Sequence, residues 1–138
     1  MFLQFARRAP IFSPMMQPLA LVMYERLLPG TQLVNRLQDL HYRVKAVTDA
    51  SLLLTCAQQD KPMLVLTDVM STRQDVCAAI HQLRNTPDTQ HLPIISFAPD
   101  NEDSRRDSAR AAGALLAVGD TALLAHLPEL LERALQID

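Results

Sequence analysis

The chain contains only two lysines among its 138 residues, Lys45 and Lys61, and it contains no tryptophan. Its 13 basic residues nearly balance its 15 acidic ones, so no electrostatic footprint for nucleic acid or an anionic membrane is present. Aromatic residues make up 4% of the chain, which argues against platforms that stack on bases. No apolar run approaches the length of a transmembrane span. Nucleic acid and membrane are therefore not expected as partners.

Glycine and cysteine are also scarce, with three and two residues respectively. The glycines stand at positions 30, 113 and 119 and form neither a G-x-G-x-x-G nor a Walker motif, so a dinucleotide or P-loop site is not expected. Cys56 and Cys77 fall within predicted helices and have no metal-like spacing. We interpret them as small, buried apolar residues of a cytoplasmic protein.

The length suits one domain with one core, and 49% of the residues are apolar. We predict that residues 18–138 form this domain. Residues 1–17 are predicted to be an N-terminal extension. A flexible leader is favoured over an arm that docks on a partner or on a sister subunit, because Pro10, Pro14 and Pro18 prevent one continuous helix.

Five short apolar runs predict five β-strands. They are residues 19–23, 43–47, 63–66, 94–97 and 114–118. Continuous rather than alternating apolar runs are typical of strands covered on both faces. The run at 43–47 is more polar and is predicted to be an edge strand.

Segments with leucine at helical spacing separate these strands and predict five helices. Asp49 or Ser51 can cap the second helix and Asp75 the third. Gly113 suits the end of the fourth, and Pro128 either begins or kinks the last. Alternating strands and helices predict a parallel sheet with helices on both faces.

In such a sheet, functional residues are expected at the carboxyl ends of the central strands. Tyr24 and Glu25 follow the first predicted strand and Asp68 the third. Ala98 follows the fourth strand and Asp120 the fifth.

Several stretches in this order resemble the receiver domain of two-component response regulators. They are residues 39–42 (Asp-Leu-His-Tyr), 63–70 (Met-Leu-Val-Leu-Thr-Asp-Val-Met), 92–95 (Leu-Pro-Ile-Ile) and 109–114 (Ala-Arg-Ala-Ala-Gly-Ala). The resemblance covers residues 19–137. It implies a flavodoxin-like, doubly wound, five-stranded parallel sheet of order 2-1-3-4-5. It also implies a role in phosphorelay signalling rather than an enzyme.

The resemblance assigns the phosphoacceptor position to Asp68. In the family, two acids after the first strand hold Mg²⁺, and here these positions are Tyr24 and Glu25. Glu25 with Asp68 could still hold the ion weakly, since Mg²⁺ is commonly bound through one or two carboxylates. We expect no other cofactor.

Other family positions are replaced. The lysine after the fifth strand is Asp120, the hydroxyl after the fourth strand is Ala98, and the aromatic on the fifth strand is Ala117. Both lysines precede the third strand, and no arginine stands between positions 113 and 132. We therefore predict that no positive side chain balances a phosphoryl group on Asp68, which would add about two negative charges.

These replacements indicate a pseudo-receiver that acts by protein–protein interaction in the cytoplasm. Its expected partners are signalling proteins, such as a histidine kinase or an output protein, or a second copy of the chain. The fourth helix, with Arg105, Arg106 and Arg110, could be the interaction face, although a charge-rich helix is more often simply solvated.

Two other functions stay open from the sequence. One is a working single-domain receiver that accepts phosphate on Asp68 with Mg²⁺. The other is a small α/β enzyme or flavin carrier, which would need a phosphate-binding glycine loop or a nucleophile–base pair. The four histidines are scattered, mostly near predicted helix ends, and give this last function little support. The sequence does not name a partner.

Overall fold

The computed structural model describes residues 17–136, in which five strands and six helices follow one another along the chain. They are β1 (Leu19–Met23), α1 (Leu27–Asp39), β2 (Arg43–Val47), a 3-10 turn (Ala50–Leu52) leading into α2 (Leu53–Asp60), β3 (Leu64–Asp68), α3 (Val76–Arg84), β4 (Ile94–Ala98), α4 (Asp103–Ala112), β5 (Leu116–Gly119), α5 (Asp120–Ala125) and α6 (Leu127–Leu135). The predicted extension, except for Gln17, lies outside the described residues. The division into 1–17 and 18–138 stays a prediction.

All strand pairs are parallel, and the sheet order is β2-β1-β3-β4-β5. The fold class predicted from the sequence is confirmed. β3 and β4 are buried at every residue, whereas β2 is largely exposed at the edge, as its polar composition predicts. Asp68 pairs with Phe97 in register, so its carboxyl group emerges at the centre of the sheet.

The described part of the chain has two core clusters, one on each face of the sheet. Leu21 and Val65 belong to one cluster, and Val22 and Leu66 belong to the other. Successive side chains of a strand point to opposite faces, so one continuous apolar run supplies both clusters. Among residues 17–136, no helix combines the length and hydropathy that a bilayer crossing requires.

Two helix starts follow the predicted caps. Asp75 accepts a hydrogen bond from the Ala78 amide at 2.9 Å at the start of α3. Asp49 accepts one from the Ser51 amide at 2.9 Å, so Asp49 caps the 3-10 turn before α2. Each side-chain oxygen satisfies an amide that has no partner inside the helix.

The segment that follows β5 forms two helices, α5 and α6, where the sequence predicts one last helix. Pro128 lies in the first turn of α6, and His126 separates α6 from the short α5. Proline is tolerated there because the first helical amides have no intrahelical partner. Of the two predicted readings, a helical turn followed by a helix that begins near Pro128 is the correct one.

Candidate functional site

The site lies at the carboxyl edge of the sheet, where β3 ends in Asp68. The Asp68 side chain is 0% exposed. The Met70 amide donates a hydrogen bond to its Oδ1 at 3.0 Å, which fixes the carboxylate at the head of the β3–α3 loop. A buried carboxylate needs further partners, and most of them come from one arginine.

Arg26, in the loop between β1 and α1, directs its guanidinium at Asp68. Nε donates to Asp68 Oδ2 at 3.0 Å and to Oδ1 at 3.2 Å, and Nη2 donates to Oδ1 at 2.9 Å. The Arg26 backbone amide lies 3.4 Å from Oδ2. The pair therefore has the two-point geometry in which guanidinium and carboxylate bind most strongly.

The same guanidinium also binds Asp120 at the start of α5. Nη1 donates to Asp120 Oδ2 at 2.7 Å and Nη2 to Oδ1 at 3.1 Å. Exposed fractions are 25% for the Arg26 side chain and 22% for that of Asp120. One arginine thus joins the loops that follow β1, β3 and β5. We call Arg26, Asp68 and Asp120 the arginine clamp.

The prediction that no positive side chain reaches Asp68 was wrong. The guanidinium of Arg26 reaches Asp68 from the β1 side of β3, opposite to β5. Burial alone would lower the pKa of Arg26, but hydrogen bonds and charges from Asp120 and Asp68 outweigh it and raise that pKa above its ordinary value. The guanidinium is therefore permanently charged.

Glu25 turns away from the clamp. Its carboxylate accepts a hydrogen bond from Gln74 Nε2 and lies 3.7 Å from Arg73 Nη2. The hydrogen bond from Gln74 lowers the pKa of Glu25, helped by Ser71 and Arg73 and opposed by burial. Glu25 is thus engaged with the β3–α3 loop rather than with Asp68.

Gln74 ties three loops together at this edge. Besides Glu25 after β1, its Nε2 donates to the Thr48 carbonyl at 2.9 Å after β2, and its Oε1 accepts from the Ala50 amide. Gln74 itself belongs to the loop after β3. A neutral amide can supply this mixture of donor and acceptor, and a carboxylate could not.

Tyr24, at the other acidic position of the family, packs its ring against Gly30 in α1. The ring lies so close that a Cβ on residue 30 would overlap it. Tyr24 belongs to the edge of the core cluster that covers this face of the sheet. It therefore contributes packing next to the arginine clamp.

These contacts do not fit a receiver-type magnesium site. Both oxygens of Asp68 are engaged by Arg26, and Glu25 is engaged by Gln74. Among residues 17–136, no three acidic, histidine or cysteine side chains gather in a way that could hold a metal ion. Mg²⁺ needs near-octahedral oxygen ligands at about 2.1 Å, and the guanidinium already lies against the oxygens that would supply them.

At the end of β4 and on β5, the two positions that the resemblance assigns to a hydroxyl and an aromatic carry only alanine. Ala98 is 0% exposed and Ala117 is 6% exposed. Ser96, two residues earlier, is buried and shares a 2.7 Å hydrogen bond with Thr67, so it is occupied inside the sheet.

A different contact links these two strand ends. Asp100, after β4, accepts hydrogen bonds from the Thr121 amide at 3.1 Å and from its hydroxyl at 2.6 Å. These bonds lower the pKa of Asp100; burial opposes them, and the charge of Arg106 adds a smaller lowering. The link holds the β4–α4 loop to the start of α5.

The arginines of α4 mostly bind their own surroundings. Arg105 Nη1 donates to the Ser71 carbonyl at 3.0 Å, and Arg106 Nη1 donates to the Pro99 carbonyl at 2.8 Å. Arg110 Nη2 donates to the Ala117 carbonyl at 3.0 Å. These contacts attach α4 to the neighbouring loops and to β5. The use of this helix as an interaction face stays a prediction.

Comparison with known structures places this architecture in one fold. A response-regulator structure from Chloroflexus aurantiacus matches with a TM-score of 0.81 at 18% identity, covering 88% of this chain and 99% of that one. The receiver domain of a sensor histidine kinase from Pseudomonas aeruginosa, with a magnesium ion in its active-site cleft, matches with a TM-score of 0.78 at 21% identity and the same coverage. The BeF3-activated receiver domain of RstA from Klebsiella pneumoniae gives 0.75 at 20% identity, covering 86% and 99%.

No protein-family model and no curated protein sequence matches this chain. The structural similarities nevertheless establish its class, which is a domain with the flavodoxin-like fold of response-regulator receivers. The resemblance inferred from the sequence is confirmed at the level of the fold.

Sequence reasoning missed Arg26 and Gln74 as site residues. Neither position carries a role in the family pattern, so the resemblance drew no attention to them. A signal for Arg26 was nevertheless present, because an acid at position 120 beside a buried Asp68 requires a cation from elsewhere. Gln74 gives no comparable sequence signal, since its role depends on three loops meeting.

Proposed function

We propose that this chain is a receiver-fold interaction module of two-component signalling that works without phosphorylation of Asp68. The observation that carries the proposal is the two-point contact between Arg26 and Asp68, reinforced by the contact between Arg26 and Asp120. A guanidinium held by two carboxylates keeps the loops after β1, β3 and β5 in one arrangement. The module would therefore present a constant surface to its partner.

The contacts of Asp68 oppose its use as a nucleophile. A carboxylate must offer an oxygen to the incoming phosphorus, and here Arg26 and the Met70 amide engage both oxygens. A phosphoryl group would also add about two negative charges beside Asp120. The group would then have to displace one carboxylate from the guanidinium before it gained a partner.

A second function is favoured by the same guanidinium. Arginine binds phosphate as readily as carboxylate, so Arg26 could release Asp120 and pair with a phosphoryl group on Asp68. The chain would then be a working receiver in which an arginine replaces the usual lysine. This function requires the clamp to open and a divalent ion to enter, whereas the first requires neither.

The neighbours with this fold include a receiver domain of a sensor histidine kinase, which supports a partner in signalling. We propose a signalling protein of this pathway as the partner, such as a kinase or an output protein, or a second copy of the chain. The two free cysteines, Cys56 and Cys77, agree with a location in the reducing cytoplasm. No catalytic activity is proposed.

Beryllofluoride with Mg²⁺ tests the proposal, because this complex mimics a phosphoryl group on the acceptor carboxylate. We expect the amide chemical shifts of Met70 and its neighbours to stay unchanged, as they would in an Asp68→Asn variant. A shift in the wild type that is absent from Asp68→Asn would instead establish the working receiver.

A further inference from the structure

The carboxylates of Asp68 and Asp120 meet at a single nitrogen atom. Nη2 of Arg26 lies 2.9 Å from Asp68 Oδ1 and 3.1 Å from Asp120 Oδ1. The remaining two carboxylate oxygens are bound by Nε and Nη1 of the same side chain. Four oxygens from the ends of two strands are thus gathered around one cation.

The placement of charge around Asp68 is exchanged relative to the family pattern. A receiver has acids after the first strand and a lysine after the fifth. Here the cation Arg26 follows β1, and the acid Asp120 begins α5 after β5. The acid at position 120 alone would leave the buried carboxylate beside a like charge and without a counterion, which is costly. Together the exchanges leave Asp68 neutralised.

We infer that the Arg26 guanidinium is a built-in replacement for the divalent ion of a receiver pocket. Like a bound divalent cation, the guanidinium neutralises Asp68 and holds the strand-end loops together. The inference rests on the proposed function, since a closed clamp is what makes phosphorylation unnecessary. It adds that the structure of this edge is independent of the supply of divalent cations.

Magnesium alone is the probe. In the wild type, we expect identical Tm values in EDTA and in millimolar Mg²⁺, and no shift of the Met70 amide signal on titration. Arg26→Ala leaves two carboxylates without a cation and should lower the Tm in EDTA by roughly 10 °C. Mg²⁺ or Ca²⁺ should then recover part of this loss, because hard cations bind carboxylate oxygens.

Two controls separate the site from general salt effects. Arg26→Ala combined with Asp120→Ala removes the second carboxylate and should abolish the recovery by divalent ions. Arg73→Ala removes a largely exposed arginine that faces Glu25 and should change neither the Tm nor its response to Mg²⁺.

A saturable, Mg²⁺-dependent shift at Met70 in the wild type would overturn the inference, even if Arg26→Ala failed to fold. An Arg26→Ala protein as stable in EDTA as the wild type would overturn it as well. Binding of Mg²⁺ to the wild type without a chemical-shift response to beryllofluoride would contradict only this inference. A chemical-shift response to beryllofluoride that depends on Asp68 would contradict the proposed function itself.

Discussion

Arg26 and Asp68 meet through hydrogen bonds to both carboxylate oxygens, Nε to Oδ2 at 3.0 Å and Nη2 to Oδ1 at 2.9 Å. The Asp68 side chain is fully buried, whereas the Arg26 side chain is one quarter exposed. Such a pair stabilises a fold only modestly relative to apolar residues, but removing one member is expensive because the other is left without a counterion. Each partner therefore constrains which residue can stand at the other position.

Reversing the charges of Arg26 and Asp120 tests their coupling. Arg26→Asp alone places three carboxylates together and should lower the free energy of unfolding by about 4 kcal/mol. Adding Asp120→Arg returns a guanidinium to the pocket and should recover about 2 kcal/mol. Urea unfolding of the wild type, both single variants and the double variant gives the coupling energy. Strict additivity would mean that the two side chains do not interact.

Gly30→Ala should destabilise the protein, although alanine normally stabilises a helix by about 1 kcal/mol relative to glycine. The ring of Tyr24 occupies the space that the new methyl group needs, so the ring or the helix must shift. Thermal unfolding should show a lower Tm for Gly30→Ala. In a Tyr24→Ala background the same substitution should raise the Tm, and a lower Tm there would rule out the tyrosine as the cause.

Replacing Gln74 by alanine should loosen three loops at once. Its hydrogen bonds to Thr48 and Ala50 are worth on the order of 1–2 kcal/mol in total, and amide hydrogen exchange should accelerate in the loops after β1, β2 and β3. The pKa of Glu25 should rise, because the hydrogen bond from Gln74 is the main cause of its lowered value. NMR titration of the Glu25 carboxyl group measures this, and an unchanged pKa would contradict the assigned contact.

The link between Asp100 and Thr121 predicts a dependence of stability on pH. The pKa of Asp100 lies below its ordinary value of 3.8, so the folded state holds the proton less tightly than the unfolded state. Stability from this group is present above that ordinary value and is lost as the pH falls through the lower folded pKa. Thr121→Val removes the hydroxyl donor and should raise the pKa of Asp100 in an NMR titration. An equal pKa in both proteins would show that the hydroxyl does not matter.

The architecture could be predicted from local patterns. Continuous apolar runs identify the covered strands, the polar run Arg43–Val47 identifies the edge, and Asp75 marks a helix start, because each depends on neighbours in sequence. The ends of the strands were less well defined. β3 extends through Thr67 and Asp68 although both are polar, because Thr67 finds Ser96 as its partner on β4.

The site could be predicted in its positions but not in its chemistry. Asp68 and Asp120 are at strand ends as expected, yet the counterion comes from Arg26, 42 residues before Asp68 and 94 before Asp120. Whether a loop arginine folds inward depends on the tertiary arrangement of two carboxylates, and no local pattern encodes that. The lack of lysine near the site excluded a lysine as the counterion of Asp68 but did not exclude an arginine.

The mass of the intact protein after incubation with acetyl phosphate and Mg²⁺ tests most directly whether the Arg26 contact replaces phosphorylation. The wild type should keep its unmodified mass, and so should the Asp68→Asn control. The variant carrying Arg26→Asp with Asp120→Lys has an additional acid after β1 and a lysine after β5, and it should gain the mass of a phosphoryl group. A phosphoryl-sized gain in the wild type that Asp68→Asn abolishes would contradict a phosphorylation-independent module.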